Sequence, residues 1–260
     1  MLKLNAYQLK WIAIIGMFFQ HMMIAWSAII PSWLELPLYA AGGFTFPIMA
    51  FFVVEGYRYT SNLTRYILRL FIFGLIALPF HIIVLGISLG QGNPELYPWL
   101  NIMFSIILSL LVLIMYDKIK YRVFFWLIYI FLIVPISFLY FEWYFIGVTM
   151  VLLFHIIPNE TARRVVPPVF TGVCWLFVAW SFRSMNFGNA NIFIARADFP
   201  TLMAAFGIVC GLVSVLLVGY SGQRGKKMKW LFYIFYPLHF MVLAAIGIAL
   251  GLIDPSLLGF

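Results

Sequence analysis

Residues 199–218 read FPTLMAAFGIVCGLVSVLLV, without one charged side chain. The hydrocarbon core of a bilayer, about 30 Å thick, takes about 20 helical residues to cross, so this stretch has the length and content of a transmembrane helix. Apolar windows of the same kind run over residues 4–30, 33–57, 66–89, 99–116, 123–140, 143–157, 168–182 and 230–252, which predicts nine spans. Turn residues break the pattern between them, at Pro31-Ser32, Gly90 to Pro94, Pro158-Asn159, Asn186 to Asn191 and Ser221-Gly222. The expected fold is all-α and polytopic, with residues 1–260 forming one membrane domain.

Composition supports that reading. Of 260 residues 65% are hydrophobic and 9% charged, more apolar surface than a water-soluble fold of this size can bury. The net charge of +8 has no soluble module to carry it toward nucleic acid, and no nucleic-acid partner is expected. It belongs instead to one side of the membrane, since Lys and Arg collect in cytoplasmic loops. With the N-terminus inside, Lys3, Lys10, Arg58, Arg65, Arg69, Lys118, Lys120, Arg122, Arg163, Arg164, Arg224, Lys226, Lys227 and Lys229 all fall inside, and of the 16 basic residues only Arg183 and Arg196 fall outside. Nine spans then leave the C-terminus outside. The first residues lack a signal-peptide core and cleavage site, so the first span is expected to be retained. Cys174 and Cys210 lie in apolar segments and read as small buried hydrophobes.

A short set of polar residues remains within the spans, where ionisable groups are costly enough to carry functional hypotheses. His21, His81 and His239 each stand on a helix running outward, roughly 10 to 16 residues past its cytoplasmic end, at similar depth. A neutral imidazole there can act as a general base toward an incoming hydroxyl or amine, or simply hydrogen-bond a neighbouring helix. No His-x-x-x-His pair supports a metal site among them. Lys10 and His21 are eleven residues apart, which puts them on nearly one helix face about 16 Å apart along the axis. A cation at the mouth and a base inside suit a long ligand with an anionic head and a reactive tip, such as acyl-coenzyme A; alternatively, Lys10 is an interfacial anchor.

Glu55 ends the second span close to Arg58, with Arg65 and Arg69 on the next helix, which predicts an ion pair. The cluster either holds phosphates bidentately, with Glu55 orienting a guanidinium, or is ordinary positive-inside sequence. Pro237 in Tyr233-Ile234-Phe235-Tyr236-Pro237-Leu238-His239 removes a backbone hydrogen bond and predicts a kink beside His239; Pro47 and Pro79 act likewise. Glu142 falls at the outer end of the sixth span, where it either receives a substrate amine or is solvated. His155, near Pro158, reads as interfacial.

These segments resemble the TraX family, whose founding member is associated with acetylation of the N-terminus of conjugative pilin. The resemblance rests on Leu9-Lys10-Trp11-Ile12-Ala13-Ile14-Ile15 with His21, on Phe46-Pro47-Ile48-Met49-Ala50-Phe51-Phe52-Val53-Val54-Glu55-Gly56-Tyr57, and on Thr60-Ser61-Asn62 with Arg65 to Leu70. Asn101-Ile102-Met103-Phe104 and Phe232 to His239 complete it, so that it spans almost the whole chain. That family looks related to a wider acyltransferase group including acyltransferase family three and heparan-glucosaminide N-acetyltransferase. There a basic residue and a histidine eleven positions on serve acyl-coenzyme A from the cytoplasm.

The resemblance implies a multi-pass acetyltransferase of the bacterial cytoplasmic membrane. Acetyl-coenzyme A would be its co-substrate, and its acceptor an extracytoplasmic amine or hydroxyl on a pilin N-terminus or a cell-envelope glycan. His21, His239 and Tyr236 become the catalytic candidates, with Lys10, Arg58, Arg65, Arg69 and Glu55 for the coenzyme and Gln20, His81 and Glu142 for the acceptor; no metal is expected. Two positions depart from the family: Gln20 stands where it usually has Asp, and Gly43 where it has Arg. Their joint loss leaves no unpaired buried charge and bears on acceptor choice or on activity itself. A transporter or flippase with proton-relaying histidines, or a noncatalytic assembly partner, is the rival expectation.

Overall fold

The computed structural model describes residues 3–86, 100–184 and 199–254; the turns expected at 90–94 and 186–191, and Arg196, lie outside them. The chain forms α1 (Ala6–Ala25), α2 (Ser32–Ala41), α3 (Thr45–Tyr59), α4 (Leu63–His81), α5 (Ile102–Lys118), α6 (Arg122–Ile128), α7 (Val134–Tyr140), α8 (Tyr144–Ile156), α9 (Glu160–Ser184), α10 (Phe199–Val218) and α11 (Lys229–Ala249). A 3₁₀ turn at Gly42–Phe44 joins α2 to α3, and π turns at Ile82–Gly86 and Tyr129–Ile133 extend α4 and join α6 to α7. Nine continuous helical segments result among the described residues, and their only β contacts are two isolated bridges.

Among the described residues six segments are long and apolar enough to cross a membrane: Ser32–Tyr59, Leu63–Gly86, Arg122–Tyr140, Glu160–Ser184, Phe199–Val218 and Trp230–Ala249. Their outward faces are the apolar ones. Val123 is 70% exposed, Phe131 73% and Val215 67%, and such rows are stable only against lipid. The protein is thus an all-α polytopic membrane protein. Helix α1 has the length, 20 residues, but carries Lys10, Gln20 and His21, and α5 and α8 are short. The seventh apolar window was expected to start at residue 168; α9 begins eight residues earlier and carries Pro167 and Pro168 inside it.

Side-chain caps explain several boundaries. Asn5 and Gln8 form a reciprocal capping box on α1, and Asn62 accepts from the Arg65 N–H to start α4. Asn101 does two things: its Oδ1 accepts from the Met103 N–H, and its Nδ2 donates to the Gly74 carbonyl of α4 at 2.9 Å. Gly74 lies eleven residues into α4, about 16 Å from its start, so α5 begins beside the middle of α4.

The α7–α8 turn is held at the same level. Leu100 N–H donates to the Tyr140 carbonyl, Glu142 N–H to the Leu100 carbonyl, and Ser105 Oγ to the Glu142 carbonyl at 2.5 Å. Helix α8 therefore needs only 13 residues, about 20 Å.

The helical ladder of the second span is interrupted by the 3₁₀ turn at Gly42–Phe44, not at Pro47. Pro47 is third in α3, in the first turn, where its missing N–H would have had no helical partner anyway. Close approach requires glycine at this break: a Cβ on Gly43 would stand 2.6 Å from the Phe206 carbonyl oxygen of α10. Thr45 Oγ1 donates to the Ala13 carbonyl, tying the break to α1.

Candidate functional site

His21 and His239 meet. Their rings stack with centroids 5.1 Å apart, and His21 Nδ1 lies 2.8 Å from His239 Nε2. The tautomers follow from the other end of the pair. His239 Nδ1 is 3.0 Å from the Phe235 carbonyl oxygen, which only accepts, so Nδ1 carries the proton and Nε2 of the neutral ring is an acceptor. His21 Nδ1 must then donate, leaving the proton-accepting lone pair of the pair on His21 Nε2. That nitrogen makes no hydrogen bond among the described residues. Pro237, two residues before His239, lacks the N–H that would bond the Tyr233 carbonyl, whereas the orienting bond uses the Phe235 carbonyl four residues before His239.

Phe240 organises the centre. Fully buried, it contacts the rings of His21 at 4.6 Å, His239 at 4.2 Å and His81 at 5.3 Å, the last edge-on at 85°. All three histidines predicted to share one depth therefore surround one ring, each at most 6% exposed. Tyr236 joins them, its ring 5.5 Å from His239; its buried hydroxyl makes no hydrogen bond of normal geometry and lies toward the Ile102 N–H and the Glu142 carboxyl.

Glu142 stands in the turn just before α8. It lies at the end of the span where window length put it, but it is not solvated there: Oε2 is 3.5 Å from Nε2 of His81, the last residue of α4, and its side chain is 17% exposed. The turn that carries it is seated on Leu100. The two residues that follow, Trp143 (φ 69°) and Tyr144 (φ 47°), are left-handed although neither is glycine, a conformation that costs free energy and needs packing to hold it. Trp143 has that packing, against Phe46, Trp175 and Phe206 at 4.6, 5.7 and 5.4 Å.

A cavity of about 630 Å³ opens at the Lys10 end. Four of its lining residues are basic, Lys10, Arg69, Arg224 and Lys226, and one is acidic, Glu55. Lys10 is held by ring faces, 4.9 Å from Phe52 and 5.9 Å from Phe232; Arg69 lies near Tyr66 and Tyr233 with its Nε buried and unbonded. The loop after α10 brings in Arg224 and Lys226, because Leu4 and Ala6 at the start of the chain hydrogen-bond to Gly219, Ser221 and Gln223. Sequence reading assigned both only to a cytoplasmic loop. Their signal, visible only with the bonds that dock this loop on the N-terminus, is long-range.

Arg58 and Arg65 do not line the cavity. Arg58 donates to the His155 carbonyl, beside a cluster in which Asp117 accepts from Tyr57 and pairs with His155 at 2.8 Å. The expected ion pair of Glu55 with an arginine is not formed: among the described residues no cation lies within 4.0 Å of it, and Glu55 faces the cavity instead. Gln20 lies within hydrogen-bonding reach of Tyr39 and covers Gly42.

The cavity and the imidazole pair share helix faces. Lys10 and His21 on α1 are eleven residues apart, and Phe232 and His239 on α11 are seven apart, both close to whole turns. The imidazoles thus stand about 10 Å above the cavity wall along α11, although neither lines the cavity itself. No group of three His, Cys, Asp or Glu among the described residues is placed to hold a metal.

Comparison with known proteins agrees over nearly the whole chain. A protein of Dichelobacter nodosus described as probable fimbrial assembly protein FimC, serogroup H1, is 29% identical over 251 residues, covering 93% of this chain and 95% of that one. No solved structure matches. The family model described as TraX protein matches residues 5–247, and the chain belongs to the TraX family.

Proposed function

We propose that this protein is a membrane acetyltransferase that takes acetyl from acetyl-coenzyme A at the Lys10 cavity and passes it to an amine or hydroxyl reaching the histidine centre from the opposite face. The observation that carries the reading is the fixed tautomer pair: Phe235 oriented on His239, His239 on His21, with a basic cavity aligned beneath on the same helix faces. Lys10, Arg69, Arg224 and Lys226 supply the charge that phosphates need, and the surrounding aromatic rings a surface for a nucleobase. The pantetheine arm would then follow α1 and α11 toward His21. With the N-terminus inside, the orientation that the distribution of basic residues favours, the cavity faces the cytoplasm, where acetyl-coenzyme A is made.

In the transfer, the acceptor's nitrogen or oxygen attacks the thioester carbonyl while His21 Nε2 takes its proton. The carbon–sulfur bond breaks, its electron pair goes to sulfur, and the proton passes from His21 to the thiolate. His239 keeps Nε2 of His21 free and spreads the imidazolium charge. The described role of the Dichelobacter relative in fimbrial assembly favours the N-terminus of a pilin subunit as acceptor, over an envelope glycan. The test is labelled acetyl-coenzyme A supplied to membranes carrying the wild type or His21→Ala, with folding of the variant verified by its thermal transition. Label in envelope material that depends on the protein and is lost in His21→Ala supports the reading. Unchanged labelling in that variant sinks the role of His21, and proton-gradient-driven solute movement without labelling would favour transport.

A further inference from the structure

Glu142 and His81 have no part in the transfer just described, yet the fold goes to some length to place them. A carboxylate largely withdrawn from solvent beside the buried His81 is costly, and the turn that presents it contains two consecutive left-handed residues, Trp143 and Tyr144. Its backbone is pinned on both sides, by Leu100 and by Ser105. The titratable groups that face it are His81, Tyr236 and Tyr144. Tyr236 is 1% exposed with its hydroxyl unbonded, and its ring reaches His239, so this one side chain stands between the carboxylate and the imidazole pair. Phe240 keeps His81 apart from that pair while touching all three rings.

The chemistry of acylation explains why a second base is present. A hydroxyl gives up one proton when it is acylated. A primary amine arrives as an ammonium ion, which has no lone pair, and gives up two: one before it can attack and one as the amide forms. Resting on the acetyl transfer proposed above, we infer that Glu142, backed by His81, binds the acceptor's ammonium group and takes the first of these protons. The neutral amine then forms the nitrogen–carbon bond, His21 takes the second proton, the carbon–sulfur bond breaks and the thiolate receives that proton. The first proton leaves through the Glu142–His81 pair, so the reaction releases one proton and one thiol for each amide made. Tyr236 positions the nitrogen between the two bases.

Two acceptors of like shape separate this role from a structural one. Benzylamine is an ammonium ion at neutral pH, whereas O-benzylhydroxylamine is already neutral. With acetyl-coenzyme A as donor, the full-length wild type acetylates both. Glu142→Gln loses transfer to benzylamine by about 100-fold and keeps transfer to O-benzylhydroxylamine within about 5-fold, because only the first acceptor needs the first base. His81→Gln, a second variant should the first fail to fold, shows the same selectivity at about 10-fold. Equal loss on both acceptors, or no loss on either, overturns the assignment and leaves acetyl transfer standing. A wild type that acetylates neither overturns both.

Discussion

Replacing His239 with Ala removes the acceptor that fixes the His21 tautomer. In the protein as it stands His21 Nδ1–H donates to His239 Nε2 at 2.8 Å, and the rings are 6% and 3% exposed. The variant leaves a buried N–H without its partner, a loss of about 1–3 kcal/mol in stability, and lets His21 place its proton on Nε2, where it can no longer act as base. Loss of an orienting partner of this kind lowers turnover by about 10²- to 10⁴-fold, or about 3–5 kcal/mol in the barrier. His239→Gln is the discriminating control, since the amide oxygen of Gln can reach the position of Nε2 and accept from His21. The assay is initial rate of acetyl transfer from acetyl-coenzyme A, with affinity for the coenzyme measured in parallel. Turnover in the order wild type, Gln, Ala at unchanged affinity is expected. Equal rates for Ala and wild type, or for Ala and Gln, would refute the tautomer argument.

Other outcomes follow from particular contacts. Arg224→Ala weakens acetyl-coenzyme A binding, by roughly 10-fold for one charge-assisted contact, while Arg58→Ala and Arg65→Ala leave it unchanged, because those side chains stand outside the cavity; isothermal titration checks all three. Gly43→Ala forces its Cβ against the α10 backbone and lowers stability by about 1–3 kcal/mol, seen as a lower melting temperature in detergent, and pairing Gly43→Arg with Gln20→Asp does not rescue it. Phe240→Ala empties the centre of the histidine cluster at about 3–5 kcal/mol and abolishes transfer, whereas Phe240→Leu keeps most of the stability.

The all-α polytopic fold was legible from apolar windows, since they report on a solvent rather than on packing. The common depth of His21, His81 and His239 was legible too, because rise per residue converts position into depth. Their convergence on Phe240 was not: it depends on the rotation of α1 against α11, set by contacts such as Trp26 Nε1 with the Leu243 carbonyl, 217 residues apart. The pairing of Glu142 with His81 was not legible for a related reason. A window of apolar residues gives a span's length and not what its ends meet, and it is Leu100, next to the Asn101 that ties α5 to Gly74 of α4, that seats the α7–α8 turn. Arg58, Arg65 and Arg69 looked equivalent in sequence, yet only Arg69 points along the α4 face that meets α11, while Arg58 is drawn to the end of α8 by the His155 carbonyl.

The most direct test of the central claim is the melting temperature of the detergent-solubilised protein with increasing acetyl-coenzyme A, compared with dephospho-coenzyme A and with the Lys10→Ala variant. Ligand at about 100 times its dissociation constant stabilises by about 2.7 kcal/mol. A rise that saturates in the wild type, weakens without the ribose phosphate and shrinks in Lys10→Ala is the predicted result. A folded wild type that shows no shift at millimolar acetyl-coenzyme A would contradict the account.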